Sequence, residues 1–306
     1  MPSHLNLINV NLVPTSKYSI TYITKKGETI MKKFVAGILL SVSAITLAAC
    51  GDSGAVDSGD SGDSKELVVG ASNVPHAEIL EQAKPLLEEQ GIDLVIETYQ
   101  DYILPNKDLE SGDLDANYFQ HIPYLESQIA DNGYDFVNAG EIHIEPIGVY
   151  SKKYKSLEEL PEDATILISN SVADHGRVLS MLEAEGLIKL ADGVDKTKAE
   201  VKDIVENPKN LEFDAEYEAA LLVQLYENEE GDAVLINSNY AIDAGISPLE
   251  DSIAIEKTDS PYVNIIAVQS GNKDNKEIKA LVEVLKSKQI QDFISEEWGG
   301  SVVPVK

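Results

Sequence analysis

Arg177 is the only arginine among 24 basic residues, and 53 acidic residues share its chain. It stands in "ISNSVADHGRVLS", three residues past Asp174 and shortly after Asn170 and Ser171, which mark the start of a helix. A cation there opposes the helix dipole, which favours anions at the N-terminus. A guanidinium beside free backbone N–H groups can instead grip a small carboxylate through two hydrogen bonds. The competing assignment is an ion pair with one of the many nearby acids, which at a surface stabilises little.

Three other groups invite chemistry. In "DANYFQHIPY", Tyr118, Phe119, His121 and Tyr124 crowd a strand-to-helix turn, with Asn117 among them. Turns of this kind favour small polar residues, so the cluster suggests the wall of a ligand pocket, with core packing as the alternative. "ETYQDYILPN" places Tyr102 and Asn106 after a strand. Asn237 ends the buried strand of "LINSNYA", where its amide can both donate and accept, as recognition of an α-amino and carboxylate group requires.

Catalytic signatures are missing. The chain has no Gly-rich phosphate loop, no G-x-S-x-G elbow and no H-E-x-x-H. Carboxylates are so abundant that a glycosidase-like pair would arise by chance. His76, His121, His143 and His175 are well separated, and no spacing favours a metal. The expectation is a binding protein without catalysis, cofactor or metal.

Strands and helices alternate from Lys65. "ELVVGAS", "IDLVIETY", "LDANYF", "ATILIS", "LEFD" and "DAVLIN" read as strands. "PHAEILEQAKPLLEEQG", "PYLESQIADNG", the segment from Val178 to Glu185, "EYEAALLVQLYENE" and the stretch from Asn275 onward read as helices. This alternation implies βαβ units and mostly parallel sheets. Two long extended stretches, Glu141–Lys153 and Ser260–Asn272, bracket a central α/β block. A first lobe of residues 65–145 plus 263–306 and a second of 146–262 follow, with the ligand cleft between them at the strands' carboxyl ends.

The remaining sequence concerns location. Five lysines (Lys17, Lys25, Lys26, Lys32 and Lys33) lie within residues 1–49, so the rest of the chain is more acidic than the overall net charge of −29. Such a surface repels phosphate backbones and excludes nucleic acid as a partner. "MKKFVAGILLSVSAITLAAC" has the charged start, apolar run and small-residue end of a secretory signal peptide over residues 31–49. Its close matches a bacterial lipoprotein signal, with Cys50, the only cysteine, as the diacylated residue. Residues 50–64 follow as a Gly/Ser/Asp tether, and two acyl chains suffice for stable anchoring at the extracytoplasmic face of the cell membrane. Residues 1–30 fit no signal peptide and are expected to be an extension upstream of a true start at Met31.

"DYILPNKDLESGDLDANYFQHIPYL", "GVYSKKYKSLEELP", "GLIKLADG", "VENPKNLEF", "VLINSNYA" and "SPYVNIIAV" together resemble the NlpA lipoproteins, methionine-binding components of ABC importers. The resemblance runs from about Leu67 to near the C-terminus. It implies a two-lobed periplasmic-binding-protein fold that closes on an amino acid, methionine foremost, and delivers it to a permease and ATPase. It places pocket aromatics at Tyr102, Phe119, His121 and Tyr124, a carboxylate-binding arginine at Arg177 and a ligand asparagine at Asn237. Asn170, with the loop to Asp174, and Asn117 complete the candidate contacts. Two departures bear on the ligand. The family reads P-(S/N)-D-P-T-N-x-x-R where this chain has "SNSVADHGR", so Asp174 replaces an asparagine, and the "EAxQLPR" segment is replaced by "DAEYEAALLVQL". A methionine-containing dipeptide or another amino acid is the alternative ligand; a metal-binding or adhesive surface lipoprotein is the alternative outside the class.

Overall fold

A computed structural model describes residues 64–305. The proposed extension, signal peptide and lipidation site at Cys50 lie outside the described residues, as does all of the tether except Ser64.

Strands β1 (Lys65–Ser72), β2 (Ile92–Tyr99), β3 (Ala116–His121) and β4 (Phe136–Ile144) belong to a first sheet. Helices α1 (Glu78–Glu88), α2 (Leu104–Ser111) and α3 (Ile122–Asn132) connect them. The chain then builds a second sheet from β5 (Gly148–Tyr150), β6 (Thr165–Ser169), β9 (Glu212–Tyr217), β10 (Ala233–Ile236) and β11 (Ala254–Ile255). Helix α4 (Val172–Ala184) and the small ribbon β7 (Lys189–Leu190)/β8 (Ile204–Glu206) lie between β6 and β9; α5 (Leu222–Glu227) precedes β10 and α6 (Ser238–Asp243) follows it. It returns as β12 (Val263–Gln269), α7 (Lys276–Leu285), α8 (Lys288–Trp298) and β13 (Val303–Pro304), which complete the first sheet in the order β13-β4-β12-β3-β1-β2. The second sheet runs β11-β5-β10-β6-β9.

Each sheet is mixed, which corrects the expectation of mostly parallel sheets. β1 is parallel to β2 and β3, and β6 to β9 and β10, because helical crossovers join these strands. β12 runs antiparallel to β3 and β4, β13 to β4, and β5 to β10 and β11. β4, β5, β11 and β12 flank the two crossings between the sheets, where the chain enters without a helix, and β13 follows α8 to close the edge of the first sheet against β4.

The apolar periodicity explains the packing. In α1, Ile79, Leu80, Ala83 and Leu87 are buried against Leu67, Val69 and Ala71 of β1. The second core joins Ile166 and Ile168 of β6, Leu235 of β10, and Val178, Leu179 and Leu182 of α4. Each such side chain contributes roughly 1.5–3 kcal/mol by leaving water, enough to hold α4 firmly on its sheet. Helix α2 stops at Gly112, whose φ of +83° turns the chain toward β3.

Two helices begin elsewhere than the apolar pattern indicates. α4 starts at Val172 and so includes Asp174 and Arg177 in its first turns. "EYEAALLVQLYENE" opens as strand, because β9 extends through Tyr217 alongside β6, and α5 begins only at Leu222.

Candidate functional site

A small cavity of about 30 Å³ lies between the two sheets, lined by Tyr102, Phe119, His121, Tyr124, Asp174, Arg177 and Asn237. Gln120, Glu145, Ser238, Asn239 and Asn264 complete the lining. Asn117 and Asn170 do not line it. Asn117 lies behind Gln120, donating to Asn106 Oδ1 (2.9 Å) and accepting from Gln120 Nε2 (2.8 Å). Asn170 lines a separate groove with Ile103 and Glu218.

The aromatic end is built by β3, its following turn and the loop after β2. Tyr102 packs 5.9 Å from Phe119, 6.1 Å from Tyr124 and 5.0 Å from Tyr240. Tyr102 donates to Asn239 Oδ1 (2.6 Å), which joins the first sheet's loop to α6 across the cavity. Tyr124 donates to the Tyr102 carbonyl (2.9 Å). The rings are fixed before any ligand arrives, so an apolar side chain meets a preformed slot.

The polar end centres on Asp174. His121 Nδ1 accepts the Tyr124 backbone N–H (3.1 Å), so Nε2 carries the ring proton and donates to Asp174 Oδ1 (3.2 Å). Asn237 Nδ2 (3.2 Å) and Ser169 Oγ (3.3 Å) donate to Asp174 Oδ2. Burial works to raise the Asp174 pKa, but the hydrogen bonds from His121 and Asn237 and the nearby Arg177 charge outweigh it and hold the carboxyl at about 2. Asp174 is therefore ionised. Asn237 occupies the N-cap position of α6 without capping it, and its Oδ1 is buried without a partner among the described residues. An ionised carboxylate beside an unused acceptor suits an ammonium group.

Arg177 is placed differently from the expectation of an open two-bond clamp. Its Nε (3.2 Å) and NH2 both donate to Glu256 Oε2, and NH2 also donates to the Glu145 carbonyl (2.8 Å). The guanidinium lies 4.7 Å from the centre of the Tyr262 ring. NH1 has no hydrogen bond among the described residues and lies 3.8 Å from Asp174 Oδ1. The cavity therefore sees one edge of the guanidinium, while its two-donor edge is filled from within.

Composition did not point to Glu145, Asn239, Glu256, Tyr262 or Asn264. One signal was available: His143 and Glu145 are two apart at the end of a strand, so they share a face. In the fold, His143 Nε2 donates to Glu145 Oε1 (2.7 Å), and His76 Nε2 lies 3.1 Å from the same oxygen. His143 Nδ1 accepts from Tyr118, and His76 Nε2 also reaches Asn264 Oδ1 (3.0 Å). These are the histidines and acid whose donor atoms could converge on a cation. The His143 proton already goes to the carboxylate and the His76 proton to Asn264, so the group works as a hydrogen-bond network where the chain first leaves the first sheet.

Burial lowers His76 from 6.5 to about 4, partly offset by Glu145, and lowers His143 to about 3. The unfolded chain thus binds these protons more readily than the fold does. This contribution to stability is complete above pH 6.5 and is lost as the pH falls toward about 4. Glu145, raised by burial, titrates in the opposite sense and tempers the fall. Thermal melts from pH 7.5 to 4.5 are expected to show a loss on the order of 2 kcal/mol. The double variant His76→Gln/His143→Gln is expected to be less stable at pH 7.5 but to show a shallower decline. An equally steep decline in that variant would contradict the assignment.

The model of the NlpA lipoprotein family matches residues 67–306. The methionine-binding lipoprotein MetQ of Bacillus subtilis is 51% identical over 277 residues, covering 90% of this chain and 99% of that protein. Among solved structures, a pheromone cOB1 precursor/lipoprotein of the YaeC family from Enterococcus faecalis is 57% identical with a TM-score of 0.77, covering 79% of this chain and 100% of that one. A nutrient-binding protein from Burkholderia cenocepacia, solved bound to methionine, is 41% identical with a TM-score of 0.74, covering 78% of this chain and 100% of that one. The match extends from β1 to the end of the chain and takes in both sheets and every residue of the cavity between them. The chain belongs to the NlpA lipoprotein family.

Proposed function

We propose that this protein captures L-methionine outside the cytoplasm, without catalysing any reaction, and presents it to the permease and ATPase of an ABC importer. The observation that carries the reading is the pairing, in one cavity, of an ionised Asp174 and an unpartnered Asn237 Oδ1 with a slot of packed aromatic rings. The ammonium group sits against Asp174 and Asn237, the carboxylate reaches Arg177 NH1, and the thioether chain runs between Tyr102, Phe119, His121 and Tyr124. Sulfur packs favourably at ring edges, which suits such a slot. The names of the relatives and the methionine-bound neighbour support the ligand. Diacylation at Cys50 would hold the protein at the outer face of the cell membrane, in keeping with relatives named as lipoproteins. The segments Glu145–Ile147 and Glu256–Tyr262, where the chain crosses between sheets, are the natural hinges for closure.

Titration calorimetry with L-methionine, D-methionine, other amino acids and short methionine peptides tests the reading. Micromolar or tighter binding of methionine is expected, with other amino acids weaker. Arg177→Ala removes one charged hydrogen bond to the ligand and is expected to raise Kd by about 10- to 100-fold. Unchanged affinity in that variant would remove Arg177 from the site, and tight binding of a different amino acid would replace methionine as the ligand.

A further inference from the structure

The two ends of the cavity are unequally provided with charge. At the ammonium end stand Asp174, which is ionised, and the unpartnered Asn237 Oδ1. At the carboxyl end the only cation is Arg177, and Glu256 already occupies it. Glu256 is itself firmly held: its Oε2 also accepts the Ile147 backbone N–H (3.2 Å), and its Oε1 accepts from Ser260 Oγ (2.8 Å). Its backbone N–H donates to the Ile147 carbonyl (2.9 Å). The carboxylate is thus bonded to α4 and to both crossings between the sheets. A ligand would have to break four hydrogen bonds to displace it.

A guanidinium recognises a carboxylate best through two parallel bonds, and partial neutralisation by a resident acid weakens what remains for a second one. Only NH1 is available to a ligand, and a single donor of a guanidinium already paired with Glu256 discriminates less between a neutral carbonyl oxygen and a carboxylate than an open two-bond clamp would.

We propose that Glu256 sets the specificity of the carboxyl end by keeping Arg177 neutralised, so that the site accepts α-amino acids whose carboxyl group is a neutral amide almost as well as the free acids. The inference rests on the methionine reading above. It assigns recognition mainly to the ammonium group and the side chain.

The test compares L-methionine with L-methioninamide by calorimetry at pH 6.5, where both amines are protonated, using the purified full-length protein and Glu256→Gln. Glutamine keeps the shape: its oxygen can accept from Arg177 and its amide can donate to Ser260 Oγ. The native protein is expected to prefer methionine over the amide by less than about tenfold. Glu256→Gln is expected to raise that preference by a further factor of about ten, because one unit of charge returns to Arg177. A merely structural role for Glu256 would weaken both ligands together and leave the ratio unchanged. Rejection of the amide by a thousandfold in the native protein would overturn the inference, and this measurement needs no variant. An unchanged ratio in folded Glu256→Gln would overturn it as well. Failure of the native protein to bind methionine at all would overturn the methionine reading and this inference with it, whereas methionine binding with either adverse ratio removes the inference alone.

Discussion

Asp174→Ala is expected to weaken methionine binding by about a thousandfold, the largest effect of any single substitution in the cavity. Asp174 is buried, ionised and surrounded by donors from three elements: His121 at the end of β3, Asn237 at the head of α6 and Ser169 at the end of β6. Truncating one partner of a buried, hydrogen-bonded charge pair between protein and ligand costs roughly 2–5 kcal/mol of binding, because the other charge is left buried without a partner. A loss of about 4 kcal/mol corresponds to three orders of magnitude in Kd. The ligand's ammonium group would keep Asn237 Oδ1 but lose its counter-charge. Asp174→Asn preserves shape and some hydrogen bonding while removing the charge, so an intermediate loss of about tenfold is expected. Calorimetry on the three proteins, with melts to confirm folding, gives the ordering. Equal affinity in Asp174→Ala and the native protein would show that the ammonium group binds elsewhere.

Gly176→Ala is the second large effect, and its sign is opposite to that of an ordinary helix substitution. Within a helix this change usually stabilises by about 1 kcal/mol, since alanine has the better propensity. Here a Cβ on Gly176 would lie 2.2 Å from the Lys196 carbonyl oxygen and 2.8 Å from the Thr197 carbonyl carbon. Both are backbone atoms and cannot rotate away. The turn of residues 196–198 and α4 must separate, an overpacking cost of roughly 1–3 kcal/mol. The melting temperature is expected to fall by roughly 5 °C. Gly176 sits between Asp174 and Arg177 on the same helix, so shifting α4 moves both groups, and Kd for methionine is expected to rise by about tenfold. Scanning calorimetry with and without methionine measures both effects together. A higher melting temperature would mean that α4 and the turn part without strain.

The candidate site was legible where residue type was unusual for its place. A lone arginine in an acidic chain, Phe119, His121 and Tyr124 at one turn and an asparagine ending a buried strand all line the cavity, while Tyr118 of the same turn is bonded to His143 instead. The partners of those residues were not legible. Glu256 is one of 53 acids and stands 79 residues from Arg177, so nothing local marks it as the counter-ion. Asn117 and Asn170 sit in suggestive sequence, yet Asn117 is taken up by hydrogen bonds with Asn106 and Gln120, and Asn170 lines a different groove. Strand direction was likewise beyond local pattern. The helix-linked pairs are parallel as expected, but β12 and β13 pair with strands far away in the chain, and only their return path decides that they run antiparallel.

The sequence by itself determined the alternation of apolar strands and amphipathic helices, the acidic composition of the chain, and the residue types a small zwitterion would need. These follow from periodicity and composition, which are local properties. Only the tertiary structure decided how the charges are shared. It set Asp174 among His121, Asn237 and Ser169, and it gave the two-donor edge of Arg177 to Glu256. Electrostatic interaction depends on distance through a low-dielectric interior, and that distance is fixed only when segments remote in the chain are folded against one another.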